Sequence, residues 1–303
     1  MTIQELRKAG RDKLINANIF DASIKSDILL QYVLNITKIN LIANAKHEVS
    51  EAEIAKYFQY INEALEGKPV QYITNEQEFM KLKFYVDSNV LIPQPDTEIL
   101  VEEAIRIASE NNTINTKHTE ENERNIETQV SKTKEYNVLD LCTGSGAIAV
   151  ALAYYTKELK IKIYASDISK KALEIAKKNA IMNKVDITTM HSNMFENIQE
   201  LKFDVIVSNP PYIEKNVIST LSKEVQNEPH IALDGGIDGL DYYRIISKEG
   251  YKHVKQGGYI LVEIGYNQKE SVIDIFKSEG KYADIKCIQD LNGKDRVIEV
   301  KVE

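Results

Sequence analysis

Cysteine and histidine are scarce in this chain of 303 residues. The two cysteines, Cys142 and Cys287, cannot build a disulfide framework, and no Cys-x-x-Cys pair or His/Cys cluster with metal-ligand spacing occurs. The five histidines are scattered, and none has a ligand or a nucleophile paired with it in the sequence. We therefore expect neither a disulfide scaffold nor a metal site, and no histidine-based catalysis.

Excess basic charge and long apolar runs are also lacking. The formal net charge is −8, whereas a dedicated duplex-DNA binder normally carries a basic face. No uninterrupted apolar stretch has membrane-spanning length, and the polar start MTIQELRKAG differs from a secretory signal. We therefore expect a cytoplasmic monomer that binds no membrane, and we do not expect nucleic acid as a partner.

Residues 1–78 have the pattern of a small all-α domain. Thr2 followed by Glu5 fits a capping box, in which the Thr side chain caps the helix and the Glu reaches back. Ser50 with Glu53 repeats the signal, and the helix that follows is expected to stop near Gly67. Lysines and glutamates dominate the predicted surface, and no catalytic set stands out.

Residues 79–98 change character. Phe79, Leu82, Phe84 and Val86 alternate as in a hairpin, and the prolines of Leu91–Glu98 force an extended connector. Asp96 or Thr97 is expected to cap a helix that runs from Ile99 to about Ala108. Residues 109–135 contain almost no apolar side chains and cannot bury a core, so we expect a mobile insertion or a loosely attached helix there.

From Tyr136 onward, apolar strands alternate with helical stretches. This alternation predicts an α/β fold, a doubly wound, largely parallel sheet over residues 99–303. Asn292-Gly293 lies between two further apolar runs, which predicts an antiparallel hairpin at the end of the chain. The strands expected in the parallel part include Val138–Cys142, Ile161–Ser166, Phe203–Ser208 and Tyr259–Ile264. A helix is expected from Leu240 to Val254, before the last of these strands.

A glycine-containing turn follows the first of these strands, and an acid ends the second. The turn comprises Cys142, Thr143, Gly144, Ser145 and Gly146, in which two glycines permit a tight bend close to a ligand. Asp167 follows after about twenty residues, where an acid can accept hydrogen bonds from both hydroxyls of a ribose. Asn193-Met194-Phe195 lies after the next strand, where an adenine ring could bind. The alternatives are that Asp167 caps a helix and that Met194 and Phe195 only pack in the core.

Asn209-Pro210-Pro211-Tyr212 follows the apolar run that ends at Ser208. Two prolines cannot continue a strand, so Asn209 must lie at the carboxyl edge of the sheet, where ligands bind in such folds. The Asn209 side-chain oxygen and the Pro210 carbonyl can together accept both hydrogens of a planar –NH2 group. Tyr212 offers that group a flat face. This arrangement suits chemistry on an amide or on a nucleobase amine.

Together these motifs resemble those of the release factor glutamine methyltransferases, a family that uses S-adenosylmethionine. The resemblance covers nearly the whole chain and includes all six prolines. It implies methylation of the glutamine amide nitrogen in the Gly-Gly-Gln motif of peptide chain release factors, with S-adenosylhomocysteine as product and no metal. Residues Cys142–Gly146, Asp167, Asn193, Met194 and Asn209 would bind the cofactor. Asn209, Pro210, Pro211 and Tyr212 would bind the glutamine, with Asn209, Pro210 and Tyr212 as the catalytic residues, and the helical domain would help dock the release factor.

Two positions depart from the family pattern. Gln94 stands where the family usually has Arg, and Cys142 stands where it usually has Gly. Two other functions remain open on the sequence: an adenine-amino methyltransferase of DNA or RNA, which uses the same tetrapeptide, and an inactive fold that binds the cofactor and scaffolds a partner. The acidic charge and the helical N-terminal domain favour the protein substrate over nucleic acid.

Overall fold

A computed structural model describes residues 1–123, 135–198 and 200–303, and within 111–123 it describes the backbone alone. The helices are α1 Ile3–Asn16, α2 Ala22–Leu34, α3 Lys38–Ala43, α4 Glu51–Leu65, α5 Val70–Thr74, α6 Glu98–Glu123, α7 Ala147–Tyr155, α8 Lys170–Met182, α9 Lys215–Ile218, α10 Lys223–Gln226, α11 Asp241–Gly250 and α12 Lys269–Glu279. The strands are β1 Gln77–Phe79, β2 Leu82–Phe84, β3 Tyr136–Leu141, β4 Ile161–Asp167, β5 Thr188–His191, β6 Phe203–Ser208, β7 Val254–Glu263, β8 Tyr282–Gln289 and β9 Asp295–Val302. No helix of the described ranges combines the length and the apolar character needed to cross a bilayer.

The chain divides into two compact units, Met1–Glu76 with Thr220–Glu228, and Gln77–Ser219 with Pro229–Glu303. The first unit differs from the predicted helical domain because it also includes the segment that carries α10. Two contacts hold that segment within the unit. Lys25 forms a 2.5 Å ion pair with Glu224, and the Asn227 side-chain amide donates to the Gly67 carbonyl oxygen over 3.0 Å. Such a return of the chain is a long-range contact that no local pattern in the sequence predicts.

Both predicted capping boxes are present in the helical unit. The Thr2 hydroxyl accepts from the Glu5 amide, and the Glu5 carboxylate accepts from the Thr2 amide over 2.9 Å. Ser50 and Glu53 make the same reciprocal pair at the start of α4. The apolar faces of α1, α2 and α4 meet in a core that includes fully buried Leu and Ile side chains. Helix formation here follows from capping at the ends and burial along one face.

The second unit begins with the predicted hairpin, although its strands are short. Strands β1 and β2 pair antiparallel and are joined by Met80 and Lys81, which both have positive φ. The extended connector ends in a 3-10 turn, Pro95–Thr97, that leads directly into α6. Helix α6 continues well past Ala108, because adding residues to an existing helix costs little once its first turns are packed. The rest of the predicted insertion, 124–134, lies outside the described residues.

The sheet of the second unit has seven strands in the order β5-β4-β3-β6-β7-β9-β8. Strands β3 to β7 run parallel in this order, and β9 pairs antiparallel with both β7 and β8. The predicted doubly wound sheet with a terminal antiparallel hairpin is therefore confirmed. The order reverses direction at β3, and ligands bind at such a switch point in open α/β sheets.

Alternate residues of the strands pack into two separate hydrophobic cores, one on each face of the sheet. Val138, Val205 and Val207 face the layer that contains α6 and α7, whereas Leu139 and Ile206 face the opposite layer. Helices on both sides of the sheet bury both faces, which is why the central strands read as continuous apolar runs.

Two boundaries near the end of the chain differ from the sequence prediction. Helix α11 stops at Gly250 rather than Val254, and β7 begins at Val254 rather than Tyr259. The two glycines Gly257 and Gly258 obscured the strand, since glycine weakens a strand pattern. A Cβ on Gly258 would lie 2.5 Å from the Asp204 carbonyl oxygen, so the close approach of β6 and β7 requires glycine there.

Candidate active site

A cavity of about 720 Å³, including the open space at its mouth, lies at the carboxyl ends of the central strands. Strand register explains its position. Leu141 of β3 pairs with Ser166 of β4 and with Ser208 of β6, so the three residues that come next stand side by side. Those residues are Cys142, Asp167 and Asn209, and all three line the cavity. The structure thus brings the glycine-containing turn, Asp167 and Asn209 together at the carboxyl edge of the sheet.

The two glycines of the turn serve different ends. Gly144 lines the cavity with φ of +53°, and a Cβ built on it would meet no atom within 4 Å, so its backbone faces open space. Gly146 has φ of +80°, and a Cβ there would lie 2.8 Å from the Ala176 Cβ. Gly146 therefore permits α7 to start close against α8, and it does not line the cavity.

Thr143 and Ser145 of the same turn are buried and point into the protein rather than toward the cavity. The Thr143 hydroxyl donates to Asp140 Oδ2 over 2.5 Å, and the Ala149 amide donates to the same oxygen over 3.1 Å. The Ser145 carbonyl oxygen accepts a hydrogen bond from the Asn179 side-chain amide. These contacts hold the shape of the turn, and burial raises the pKa of Asp140 to about 7.

Cys142 adopts a left-handed backbone conformation, with φ of +65°. This is the region in which a side chain is disfavoured and glycine is not. The Cys142 sulfur lies 3.8 Å from the sulfur of Met194, and burial raises the pKa of the thiol well above its ordinary value. Cys142 therefore presents an uncharged, apolar side chain to the cavity.

Asp167 is held by two backbone amides. Its Oδ2 accepts from the Gly144 amide over 2.9 Å, and its Oδ1 accepts from the Ser169 amide over 2.8 Å. Ser169 is itself the cap of α8, since its hydroxyl accepts from the Ala172 amide. Burial raises the pKa of Asp167, and the backbone hydrogen bonds partly offset that effect. Each carboxylate oxygen retains a further lone pair for a ligand in the cavity.

The segment after β5 divides between cavity and core. Asn193 and Met194 line the cavity, with Met194 in a left-handed conformation at φ of +47°. Phe195 instead packs in the core and stacks on His253, with ring centroids 4.8 Å apart and planes 7° from parallel. Of the predicted adenine neighbours, Phe195 is thus a packing residue.

Asn209 is half-buried at the end of β6, and its side chain has a defined orientation. The Asn209 Nδ2 donates to the Thr97 hydroxyl oxygen over 3.2 Å, which leaves the amide oxygen unused by this contact. The preceding residue, Ser208, donates from its hydroxyl to the Leu141 carbonyl oxygen over 2.7 Å and ties β6 to β3. Pro211 lines the cavity, whereas Pro210 is buried beside it.

Tyr212 anchors the tetrapeptide from behind rather than lining the cavity. Its hydroxyl donates to Glu263 Oε1 over 3.3 Å, and its carbonyl oxygen accepts from the Gln268 side-chain amide over 3.0 Å. A Cβ on Gly239 would lie 2.4 Å from that same carbonyl oxygen, so glycine is required for the close approach. Burial raises the pKa of Tyr212 above its ordinary range. The ring, predicted to stack on a substrate, lies outside the cavity wall.

Comparison with known proteins finds two family models that match parts of the chain and relatives that align along nearly all of it. Residues 5–74 match the family profile "PrmC N-terminal domain", and residues 104–233 match "Methyltransferase small domain". The release factor glutamine methyltransferase of Clostridium acetobutylicum is 39% identical over 90% of this chain and 89% of its own length. The chain belongs to the release factor glutamine methyltransferase family. The relative from Clostridium botulinum is 36% identical, with 99% of each chain covered.

Other matches differ in extent. A bifunctional methyltransferase of Rickettsia typhi is 38% identical over 99% of this chain, but the chain spans only 57% of that protein's length. A methyltransferase structure from Pyrococcus furiosus aligns with a TM-score of 0.40 at 22% identity, over 55% of this chain and 73% of that one.

The structure shows the environment of Gln94 and of Cys142, the two positions at which the sequence departs from the expected pattern. Gln94 is exposed, and its side-chain amide donates to the Ile92 carbonyl oxygen over 3.0 Å. A neutral side chain is satisfied locally at that position. Cys142 occupies the left-handed position described above, a backbone conformation in which glycine is favoured over any residue with a side chain.

Sequence reasoning missed part of the cavity wall. The chain also contributes Val90, Leu91, Ile168, Ile231 and Tyr242 to the lining. These residues lie in loops or on a helix face, and no local spacing distinguishes them from ordinary surface apolar residues. Within the described ranges, no group of three or more His, Cys, Asp and Glu side chains is arranged to hold a metal ion.

Proposed function

We propose that this protein methylates the side-chain amide nitrogen of the glutamine in the Gly-Gly-Gln motif of peptide chain release factors. The proposal includes S-adenosylmethionine as methyl donor and the cytoplasm as the compartment of action. Support comes from relatives that carry this name and align along nearly their whole length. The acidic net charge of −8 favours a protein over a nucleic acid as the substrate.

The orientation of the Asn209 amide is the observation that carries this proposal. Its nitrogen is engaged by Thr97, so its oxygen is the group free to accept a hydrogen bond from a substrate. An –NH2 group of a carboxamide offers two such hydrogens in one plane. Asn209 Oδ1 and the carbonyl oxygen of Pro210, the next residue, would accept one each.

The cavity residues fit the proposed cofactor. They lie at the carboxyl ends of parallel strands, where ligands bind in open α/β folds. Asp167 would accept hydrogen bonds from the ribose hydroxyls, and the Gly144 backbone faces open space where a ligand can approach closely. Cys142 and Met194 supply a polarisable apolar wall. Ile168 and Ile231 add apolar surface for a flat ring.

The protein's contribution to the reaction would be position and electrostatics. S-adenosylmethionine, when bound, supplies a methyl group already activated by its sulfonium centre. A carboxamide nitrogen is a weak nucleophile because its lone pair is delocalised into the carbonyl. Asn209 and Pro210 would fix this nitrogen through both of its hydrogens, and their oxygens would stabilise the positive charge that develops on it. Orientation of this kind lowers a barrier by several kcal/mol, on the order of 7 in favourable cases.

One labelling experiment tests the proposal against its competitors. The protein is incubated with methyl-labelled S-adenosylmethionine and, in separate arms, a release factor, the same factor with its Gly-Gly-Gln glutamine replaced by alanine, and DNA and RNA oligonucleotides. We expect label only in the unaltered release factor. Label in an oligonucleotide would support the adenine-amino alternative. Cofactor binding without transfer in any arm would support an inactive scaffold.

A further inference from the structure

A buried polar cluster lies behind the Asn209–Tyr212 loop. Thr97 is 4% exposed, Glu263 is 2% exposed and Arg296 is 7% exposed, so polar atoms here have little access to solvent. Buried polar groups of this kind need partners, because leaving one unsatisfied costs free energy. The side chains of Asn209 and Tyr212 are two of the partners that the cluster uses.

Thr97 does not serve as the helix cap that its sequence position predicts. It is the last residue of the 3-10 turn Pro95–Thr97, which runs without interruption into α6. Its hydroxyl oxygen instead accepts from Asn209 Nδ2 over 3.2 Å, a contact between residues 112 positions apart in the chain. The hydroxyl is thus used for the site and not for local helix structure.

The direction of this hydrogen bond follows from Glu263. Above a pH of about 7 Glu263 is ionised, its carboxylate can only accept hydrogen bonds, and the Tyr212 hydroxyl already donates to its Oε1 over 3.3 Å. Glu263 Oε2 has no hydrogen-bond partner in the described ranges, so the Thr97 hydroxyl, which lowers the pKa of Glu263, has an acceptor open to its hydrogen. With its one hydrogen turned toward the carboxylate, the Thr97 oxygen can only accept from Asn209. Asn209 must then present –NH2 to Thr97 and its oxygen to the opposite side.

We propose that Thr97 is a positioning residue that, backed by Glu263, fixes the Asn209 amide with its oxygen toward the substrate. This inference rests on the proposed function, since the oxygen matters only for a substrate that donates two hydrogens. Were the amide to turn over, its –NH2 group would face the substrate –NH2, and two donors cannot hydrogen-bond to each other. Thr97 itself does not line the cavity.

The test replaces the hydroxyl while keeping the shape. In Thr97→Val the hydroxyl is lost, in Thr97→Ser it is kept, and Thr156→Val is a matched control. Thr156 is 3% exposed and its hydroxyl donates to the Leu152 carbonyl oxygen, away from the cavity. We expect kcat of Thr97→Val on a release factor to fall about tenfold or more, the usual effect of an unsatisfied buried partner. The dissociation constant of Thr97→Val for S-adenosylhomocysteine should change less than about twofold. The kcat values of Thr97→Ser and Thr156→Val should stay within about threefold of wild type, a change in activation free energy smaller than the 1.36 kcal/mol that corresponds to tenfold.

Three outcomes would overturn the inference: unchanged kcat in Thr97→Val, an equal loss in Thr97→Ser, or a parallel loss of cofactor affinity. If Thr97→Val does not fold, Thr97→Ala is measured with the same expectations. A second readout needs no activity. The Asn209 side-chain amide signal in a nitrogen-15 NMR spectrum, assigned by its loss in Asn209→Ala, should shift and exchange faster in Thr97→Val but not in Thr156→Val. An unmoved signal refutes the role of Thr97, whereas a wild-type protein without activity on release factors refutes the proposed function alone.

Discussion

Replacing Asp167 by alanine should weaken cofactor binding by about a hundredfold. In the proposed site, the carboxylate would accept hydrogen bonds from two ribose hydroxyls, and a hydrogen bond to a charged group contributes about 1.5–3 kcal/mol. Water will fill part of the space that the side chain leaves, so we take the lower end for each bond, about 3 kcal/mol in all. At 1.36 kcal/mol per tenfold, this corresponds to roughly two orders of magnitude in the dissociation constant.

Calorimetry with S-adenosylhomocysteine measures this loss without turnover. Asp186→Ala is the matched control, because Asp186 is an exposed acid just before β5, away from the cavity. Asp167 also holds the Gly144 amide, so part of the loss could come from the turn itself. An analogue of S-adenosylhomocysteine without ribose hydroxyls separates the two effects, since it should bind wild type and Asp167→Ala almost equally. An unchanged dissociation constant in Asp167→Ala would refute the assignment of this residue to the ribose.

Two further predictions concern stability. Cys142→Gly should change the free energy of unfolding by less than about 1 kcal/mol, because relief of the backbone strain at a positive φ offsets the lost packing of the thiol side chain. Cys287→Gly, in the middle of β8, should cost more than that in urea unfolding, and equal losses would contradict the reasoning. Burial raises the pKa of Glu263 to about 7 from 4.5, against the effects of Thr97, Arg296 and Tyr212. The folded state therefore holds an extra proton between these values, and its stability falls as pH rises through this window. The side chain in Glu263→Gln does not titrate. The free energy of unfolding of this variant, measured relative to wild type, should therefore rise by about 3 kcal/mol from pH 4.5 to pH 7, and a difference between the two proteins that does not change with pH would contradict this.

The fold was predictable where local signals and long-range packing agree. The run Phe203–Ser208 and the two prolines after it determine both a buried strand and its end, and the structure has both. The capping boxes at Thr2 and Ser50 mark helix starts because their side chains bond only to neighbours in the chain. Strand order was not determined by such signals, but the alternation of strands and helices limited it to a doubly wound sheet.

The site was predictable in its main components and not in their supports. Asp167 and Asn209 could be placed at one edge because parallel strands end together. The hydrogen bond from Asn209 to Thr97 could not be predicted, because it joins two segments that only the tertiary fold brings together. The inward position of Tyr212 could not be predicted for the same reason. Its hydroxyl and its carbonyl oxygen are held by Glu263 and Gln268, and no spacing in the sequence shows that these residues lie close to Tyr212.

The account depends most on the proposed hydrogen bond from the substrate –NH2 group to the Asn209 side-chain oxygen. Single-turnover methyl transfer by Asn209→Ala tests this directly. We expect the rate on a release factor to fall about a hundredfold or more, as when one preorganised hydrogen-bonding group of a catalytic site is removed. Cofactor affinity should remain within about twofold of wild type, since Asp167 rather than Asn209 would hold the ribose. Asn193→Ala, which alters another asparagine of the same cavity, should affect affinity more than the transfer step. A transfer rate in Asn209→Ala close to that of wild type, with the cofactor bound, would contradict the account.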